Sequence, residues 1–221
     1  MQGLCPKFPD LSKTDLIQGY LLLFNIILKL YATCYKVAFS ITGESMMNFY
    51  KIKKEYLDHL RQYDKKVPQN VENGKEKLYT GIVMSTENYN YFVPLSSFNR
   101  PQQTNFVLQQ NNKRRLGSLR LSFMIPIEKN DTSVLEKVDL DDVDDFKYRR
   151  LLEQELKLCR QNQKQIMHRA KKVYDMGNNS EHPRFKDCVQ FQKLEQKASE
   201  YQYDRTKAQM KKKRKQHDME L

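Results

Sequence analysis

Tyr91-Phe92-Val93-Pro94-Leu95-Ser96-Ser97 sets two adjacent hydroxyls at the end of an aromatic and β-branched run. Such a run reads as a buried strand. Tyr79-Thr80-Gly81-Ile82-Val83-Met84 reads as its hairpin partner, with the turn near Glu87-Asn88. Pro94 has no N–H to give to a ladder, so the strand is expected to break there or to lie at an edge. That break would release Ser96 and Ser97 from sheet pairing at the mouth of the sheet, where a phosphate could reach them. The competing reading is plainer: two serines after a strand mark a loop. Composition alone favours the plainer reading, and the rest of the chain shifts the balance.

The chain has 221 residues and a formal net charge of +12. That length suits one domain with an appendage, and 13 Tyr with 11 Phe supply a modest core. The charge points to a polyanionic partner, nucleic acid before a membrane surface. Cysteines at 5, 34, 159 and 188 show no CxxC spacing. They read as reduced thiols of a cytoplasmic protein, not as a disulfide framework. Histidines at 59, 168, 182 and 217 form no ligand pair at helical spacing. No metal site, no cofactor and no histidine dyad is therefore expected.

Residues 1–45 differ from the remainder. Leu16 to Ile41 is apolar, but Lys29 and Lys36 interrupt it, and each is costly near the middle of a bilayer. Asp10 and Asp15 precede the apolar run and no small-x-small cleavage site follows it promptly, so a signal peptide fits poorly. Met46-Met47, in contrast, opens a segment complete in itself, a strand followed by a helix. Gly43-Glu44 is encodable by a purine-rich run of the ribosome-binding type just ahead of Met46. The expectation is a natural start at Met46 or Met47, with 1–45 a non-native upstream extension and 46–221 the functional domain. The alternative is a weak membrane anchor.

Asn48 to Ile52 reads as a short strand. Lys53 to Tyr63 carries Tyr56, Leu57, Leu60 and Tyr63 at helical spacing and ends before Val67-Pro68. Asn73-Gly74 reads as a turn. Asn99 to Arg115 reads as a polar loop around Phe106-Val107-Leu108. Leu119, Leu121 and Phe123 alternate with Arg120 and Ser122, which is strand periodicity running into Met124 to Ile127. The acidic stretch Glu136 to Asp145 lacks the glycine and glutamate of a calcium loop and reads as the cap of the next helix. That helix is expected from Phe146 to about Tyr174, stopped by Gly177-Asn178-Asn179. A last helix is expected from near His182-Pro183, fading beyond Arg205 into a frayed basic tail at Lys211 to Lys215.

Seven segments then occur in order: Phe49-Tyr50-x-Ile52, Asp64-x-Lys66-Val67-Pro68, Gly81-Ile82-Val83, Pro94-Leu95-Ser96-Ser97, Leu116-Gly117, Phe123-Met124-Ile125-Pro126-Ile127 and Tyr148-x-Arg150-x-Leu152. Together they resemble the ToxN/AbiQ endoribonuclease toxins of type III toxin–antitoxin systems, from Met47 to about Asn162. The resemblance implies an α+β fold: a compact, twisted antiparallel sheet similar to the Kid/MazF toxins, with flanking helices and a long helical C-terminal part. It implies metal-independent RNA cleavage to 2′,3′-cyclic phosphate and 5′-hydroxyl ends. It also implies a small repeat RNA antitoxin that the toxin processes into pseudoknots, a ring-like toxin–RNA assembly, and phage defence by abortive infection.

Cyclising cleavage needs an in-line 2′-hydroxyl, a proton acceptor, charge stabilisation on the phosphate and protonation of the 5′-oxygen. A serine hydroxyl is too weak a base, so Ser97, with Ser96, is assigned to phosphate positioning. Lys77 matches a family lysine just before the hairpin strand; it could neutralise charge or, with a lowered pKa, protonate the leaving oxygen. Tyr56 falls on a family position, although a core tyrosine on an amphipathic helix explains it equally well. Two departures stand out: the loop 69–76 lacks a family tyrosine, and the family's lysine after the serine pair is Asn99 here. Arg100 is its stand-in, limited to charge stabilisation because Arg does not give up its proton near neutral pH. Lys65, Lys66, Arg100, Lys113, Arg114, Arg115, Arg149 and Arg150 are the RNA-binding candidates, as a cluster and not singly. A basic RNA-binding regulator without catalysis is the alternative function.

Overall fold

The computed structural model describes residues 47–72 and 74–219, without the side chains of 72, 204 and 208–219. All of these belong to one unit, Met46–Leu221. The expectations for residues 1–45 lie outside the described residues. Among the described residues no helix is long and apolar enough to cross a membrane.

Among the described residues nine strands form: β1 Asn48–Ile52, β2 Val71–Glu72, β3 Lys75–Glu76, β4 Tyr79–Ser85, β5 Tyr89–Ser96, β6 Phe106–Gln109, β7 Arg115–Leu119, β8 Ile125–Glu128 and β9 Leu135–Lys137. Four α-helices accompany them in the described residues: α1 Lys54–Tyr63, α2 Phe146–Gln161, α3 Gln163–Asn178 and α4 Phe191–Met219. The seven-stranded antiparallel sheet runs β6-β7-β5-β4-β1-β9, with β8 also on β5. β2 and β3 form a separate hairpin whose turn holds Gly74 at φ 75°, the left-handed region that glycine enters without penalty.

β5 is the hub of the sheet. One edge pairs with β4, in the register Tyr79↔Pro94 and Met84↔Tyr91. Its other edge pairs first with β8, up to Phe92↔Ile125, and then with β7, at Leu95↔Leu119 and Ser96↔Ser118. The hairpin turn near Glu87-Asn88 is as expected. The break at Pro94 is not: β5 continues through it, and Ser96 stays paired. Leu95 N donates to Leu78 O on the β4 side (2.8 Å), so Pro94 presents its N–H-less edge the other way. There a single 3-10 turn, Leu121–Phe123, connects β7 to β8, and no strand waits for a donor. The Pro94 carbonyl still accepts from Arg120 N (3.1 Å). The same turn corrects the continuous strand expected through Leu121 and Phe123. The loop expected over Asn99 to Arg115 contains β6, paired with β7 from Phe106↔Leu119 to Gln109↔Arg115.

The helix expected over 146–174 is two helices. Asp145 caps α2 as expected, accepting from Lys147 N (3.0 Å) and Tyr148 N (3.1 Å). Asn162 then ends it: its backbone leaves the helical region (φ −105°, ψ 15°), while its N–H (3.0 Å) and side-chain amide (2.8 Å) both donate to Leu158 O and cap the last turn. The break serves burial. Leu152 and Leu156 of α2 pack with Phe49 and Leu78 in a small cluster, whereas Cys159 at the end of α2 and Ile166, Ala170 and Val173 of α3 enter the main core.

α4 starts at Phe191, not near His182-Pro183, where a 3-10 turn Phe185–Asp187 intervenes. Its start is set from far along the chain. Gln190 N donates to Asp64 Oδ2 (2.8 Å) and Val189 N to Ser122 O (2.9 Å). Glu195 then accepts from Tyr91 Oη (2.6 Å) and Tyr174 Oη (3.2 Å), and Arg205 pairs with Asp131 (3.1 Å). Beyond Arg205 the backbone stays helical to Met219, where fraying was expected.

Candidate active site

The strand register sets Lys77 opposite Ser96. Tyr79 pairs with Pro94 and Leu95 N bonds to Leu78 O, so one further step along each strand brings Lys77 and Ser96 across from one another. Lys77 is held from behind as well, its N–H donating to Asn70 O (2.7 Å). Both residues are half-buried. Ser96 Oγ accepts from Phe98 N (3.2 Å), which bends the chain so that Ser97 is exposed. Ser118 Oγ donates to the Phe98 carbonyl and pins the same bend.

Lys77 and Ser96 border two cavities. The first, about 270 Å³, is also lined by Lys66, Pro94, Arg120 and Phe123. The second, about 210 Å³, is also lined by Lys75, Ser97, Tyr148 and Glu155. Ser97 therefore reaches only the second.

Arg120, which strand periodicity puts on the polar side, is part of the first cavity. Its guanidinium lies 4.9 Å from the Phe98 ring centroid and 5.0 Å from that of Phe123. Stacking between two rings orients a planar fork of donors that fits a phosphate bidentately. The sequence signal was present, an arginine with aromatics at 98 and 123, but only the sheet brings Phe98 beside it. Lys66 joins the cavity through the segment Asp64 to Pro68. Asp64 is buried, its Oδ1 accepts from Lys66 N (2.9 Å), and Lys66 Nζ donates to Cys188 O (2.6 Å).

Glu155, a carboxylate that no sequence motif marks, lines the second cavity. It is 4% exposed on α2, and burial pushes its carboxyl up to about 7. Beside it, Tyr148 carries the Lys75 ammonium over its ring at 4.1 Å, and burial raises the Tyr148 phenol.

Tyr56 does not belong to this site. It is 2% exposed, its Oη donates to Pro126 O (2.5 Å), and its ring packs edge-on against Tyr201 at 5.1 Å. Burial first, then Asp131 and Glu128, push its phenol well up, so it is no base near neutral pH. The core-tyrosine reading is the one that the fold supports.

The cationic candidates divide. Lys66 borders the first cavity. Arg114 and Arg150 border another, of about 460 Å³, with Lys147 and Phe146. Arg149 and Arg150 place their guanidinium groups 5.8 and 5.5 Å from the exposed Phe146 ring. Lys65, Arg100, Lys113 and Arg115 are exposed and line none of these cavities; Lys113 sits at φ 64° in the β6–β7 turn. Among the described residues no cluster of His, Cys, Asp or Glu could hold a metal ion.

Two lysines, a stacked arginine and a serine hydroxyl thus line one opening of an antiparallel-sheet protein, and all four are donors of the kind that phosphate oxygens accept. Residues 48–199 match the model of the family described as toxin ToxN, type III toxin-antitoxin system, and the chain belongs to that family. It is 29% identical over 170 residues to endoribonuclease ToxN of Bacillus thuringiensis subsp. kurstaki, covering 73% of this chain and 87% of the relative. It is 31% identical over 131 residues to endoribonuclease ToxN of Pectobacterium atrosepticum, covering 54% and 75%. A solved structure from work on selective toxin inhibition by a non-coding RNA pseudoknot superposes with a TM-score of 0.63 at 28% identity, covering 71% of this chain and 98% of that one. The structure of AbiQ, a lactococcal anti-phage endoribonuclease, shares the fold with a TM-score of 0.62 at 24% identity, covering 72% and 99%.

Proposed function

We propose that this chain is the endoribonuclease toxin of a type III toxin–antitoxin system, cutting RNA by attack of the 2′-hydroxyl on the adjacent phosphorus. The products carry 2′,3′-cyclic phosphate and 5′-hydroxyl ends. The observation that carries this reading is the placement of Lys77 opposite Ser96, with both side chains on two adjoining cavities.

The RNA supplies its own nucleophile, so the protein's work is positioning and charge. Ser96 and Ser97 hydrogen-bond the non-bridging oxygens. Arg120 and Lys66, on the first cavity, take up negative charge as the phosphorane forms. Lys77 delivers a proton to the departing 5′-oxygen. Because no metal-generated hydroxide is needed, cleavage continues in a chelator. A small repeat RNA, folded as a pseudoknot and cut by the same site, occupies it as antitoxin within a ring-like assembly. Release of that RNA during phage infection frees the toxin.

The test is Ser97→Ala in cells and in vitro. Growth arrest is expected to vanish while RNA binding persists, and the wild-type protein is expected to release cyclic phosphate in EDTA. Growth arrest by Ser97→Ala would overturn the role given to this hydroxyl.

A further inference from the structure

Glu155 occupies the apolar stripe of α2, between Leu152 and Leu156, where a hydrocarbon would pack without cost. Its room comes from Gly117 on β7. A Cβ at 117 would lie 2.7 Å from Glu155 Oε1 and 2.7 Å from the Ser96 carbonyl oxygen. Gly117 has no positive φ, so what it provides is space and not backbone freedom. That space lets a carboxyl close on the back of the serine strand while lining the cavity shared by Lys77, Ser96 and Ser97.

A buried carboxylate that serves structure is satisfied by N–H donors or a cation. Glu155 Oε1 and the Ser96 carbonyl oxygen, an acceptor, border the same Gly117 gap. Burial pushes its carboxyl up to about 7. The charged and titratable groups around it are Tyr148 and Cys159 on its own helix, and Lys75, Glu76 and Lys77 ahead of β4. Lys75 is engaged over Tyr148 and Glu76 pairs with Lys51 at 2.7 Å.

We propose that Glu155 is the general base of the cleavage, accepting the proton of the attacking 2′-hydroxyl in the cavity it shares with Lys77 and the serine pair. The inference rests on the endoribonuclease reading above. The O2′–H bond breaks to the carboxylate as the O2′–P bond forms. The P–O5′ bond breaks, and its electron pair takes a proton from the Lys77 ammonium. A water then carries the proton from the carboxylic acid back to the Lys77 amine, so the site ends as it began.

The experiment compares wild type with Glu155→Gln on an RNA oligonucleotide and on the same RNA with sulfur at the bridging 5′ position, whose thiolate leaves without protonation. Glu155→Gln is expected to lower kcat by about 10²- to 10⁴-fold, with RNA affinity within twofold. Wild-type kcat is expected to rise with pH to a plateau above about 7, and the variant to lose that dependence. The defect is expected to persist on the sulfur substrate. A defect that disappears there, or a variant that keeps the wild-type pH profile, overturns the proposal. Should the variant fail to fold, a wild-type kcat that is flat from about pH 5.5 to 8.5 does so. A wild-type protein that releases no cyclic phosphate instead overturns the endoribonuclease reading itself.

Discussion

Lys77, two residues ahead of β4, lies opposite Ser96 of β5 when the Tyr79↔Pro94 register is extended, and both residues border the same two cavities. Neither residue is exposed enough to be an ordinary surface group, and each is tied by its backbone to a neighbouring segment. A phosphodiester in either cavity would meet both an ammonium and an alcohol.

Lys77→Arg separates charge from proton donation. The guanidinium keeps the positive charge but holds its proton near neutral pH. RNA binding is expected within a few-fold of wild type, and cleavage is expected to fall by about 10²-fold or more. A bridging 5′-sulfur should restore most of the rate. Full activity of Lys77→Arg on ordinary RNA would show that this position supplies charge only.

Arg120→Ala removes the cation held between Phe98 and Phe123. Binding to single-stranded RNA should weaken, and the slope of log Kd against log salt should flatten by about 0.7. Binding isotherms at several salt concentrations measure this directly; an unchanged slope means that Arg120 meets no phosphate.

Glu155 makes stability depend on pH. Its carboxyl titrates at about 7 in the fold and at 4.5 in the unfolded chain, so the unfolded state is the better home for the charge. The penalty is absent below about pH 4.5, grows as the carboxyl ionises, and is complete above about pH 7, where it is on the order of 3 kcal/mol. Glu155→Gln should therefore unfold at a higher temperature than wild type at pH 8. The gap should close as the pH falls towards 4.5. Thermal melts at both ends of that range decide it.

Tyr56→Phe should leave cleavage intact and cost about 1–2 kcal/mol of stability, because the buried Pro126 carbonyl loses its donor. Urea unfolding and an activity assay below the melting transition separate the two effects. A selective loss of kcat without loss of stability would return Tyr56 to the site.

Local pattern made part of this legible. The hairpin of β4 and β5, the amphipathic face of α1, the Asp145 cap and the serine pair each depend on residues within a few positions of one another. Glu155 left a trace that could have been found, a carboxylate at an apolar position of a helical repeat. Arg120 left less, since Phe98 becomes its neighbour only through the pairing of β5 with β7.

The residue types and their order determined the family, the antiparallel hairpin and the chemistry that a hydroxyl pair and a lysine could perform, because propensity and periodicity act over short stretches of chain. Tertiary structure decided the rest. It made Pro94 harmless by turning its donorless edge towards a 3-10 turn. It ended α2 at Asn162, so that α2 reaches both a small cluster and the main core while α3 packs on the main core, and it started α4 with a carboxylate from residue 64. It also took Tyr56 out of the site and brought Arg120 and Glu155 in. These outcomes depend on which distant groups share a buried space, and no periodicity along the chain encodes that.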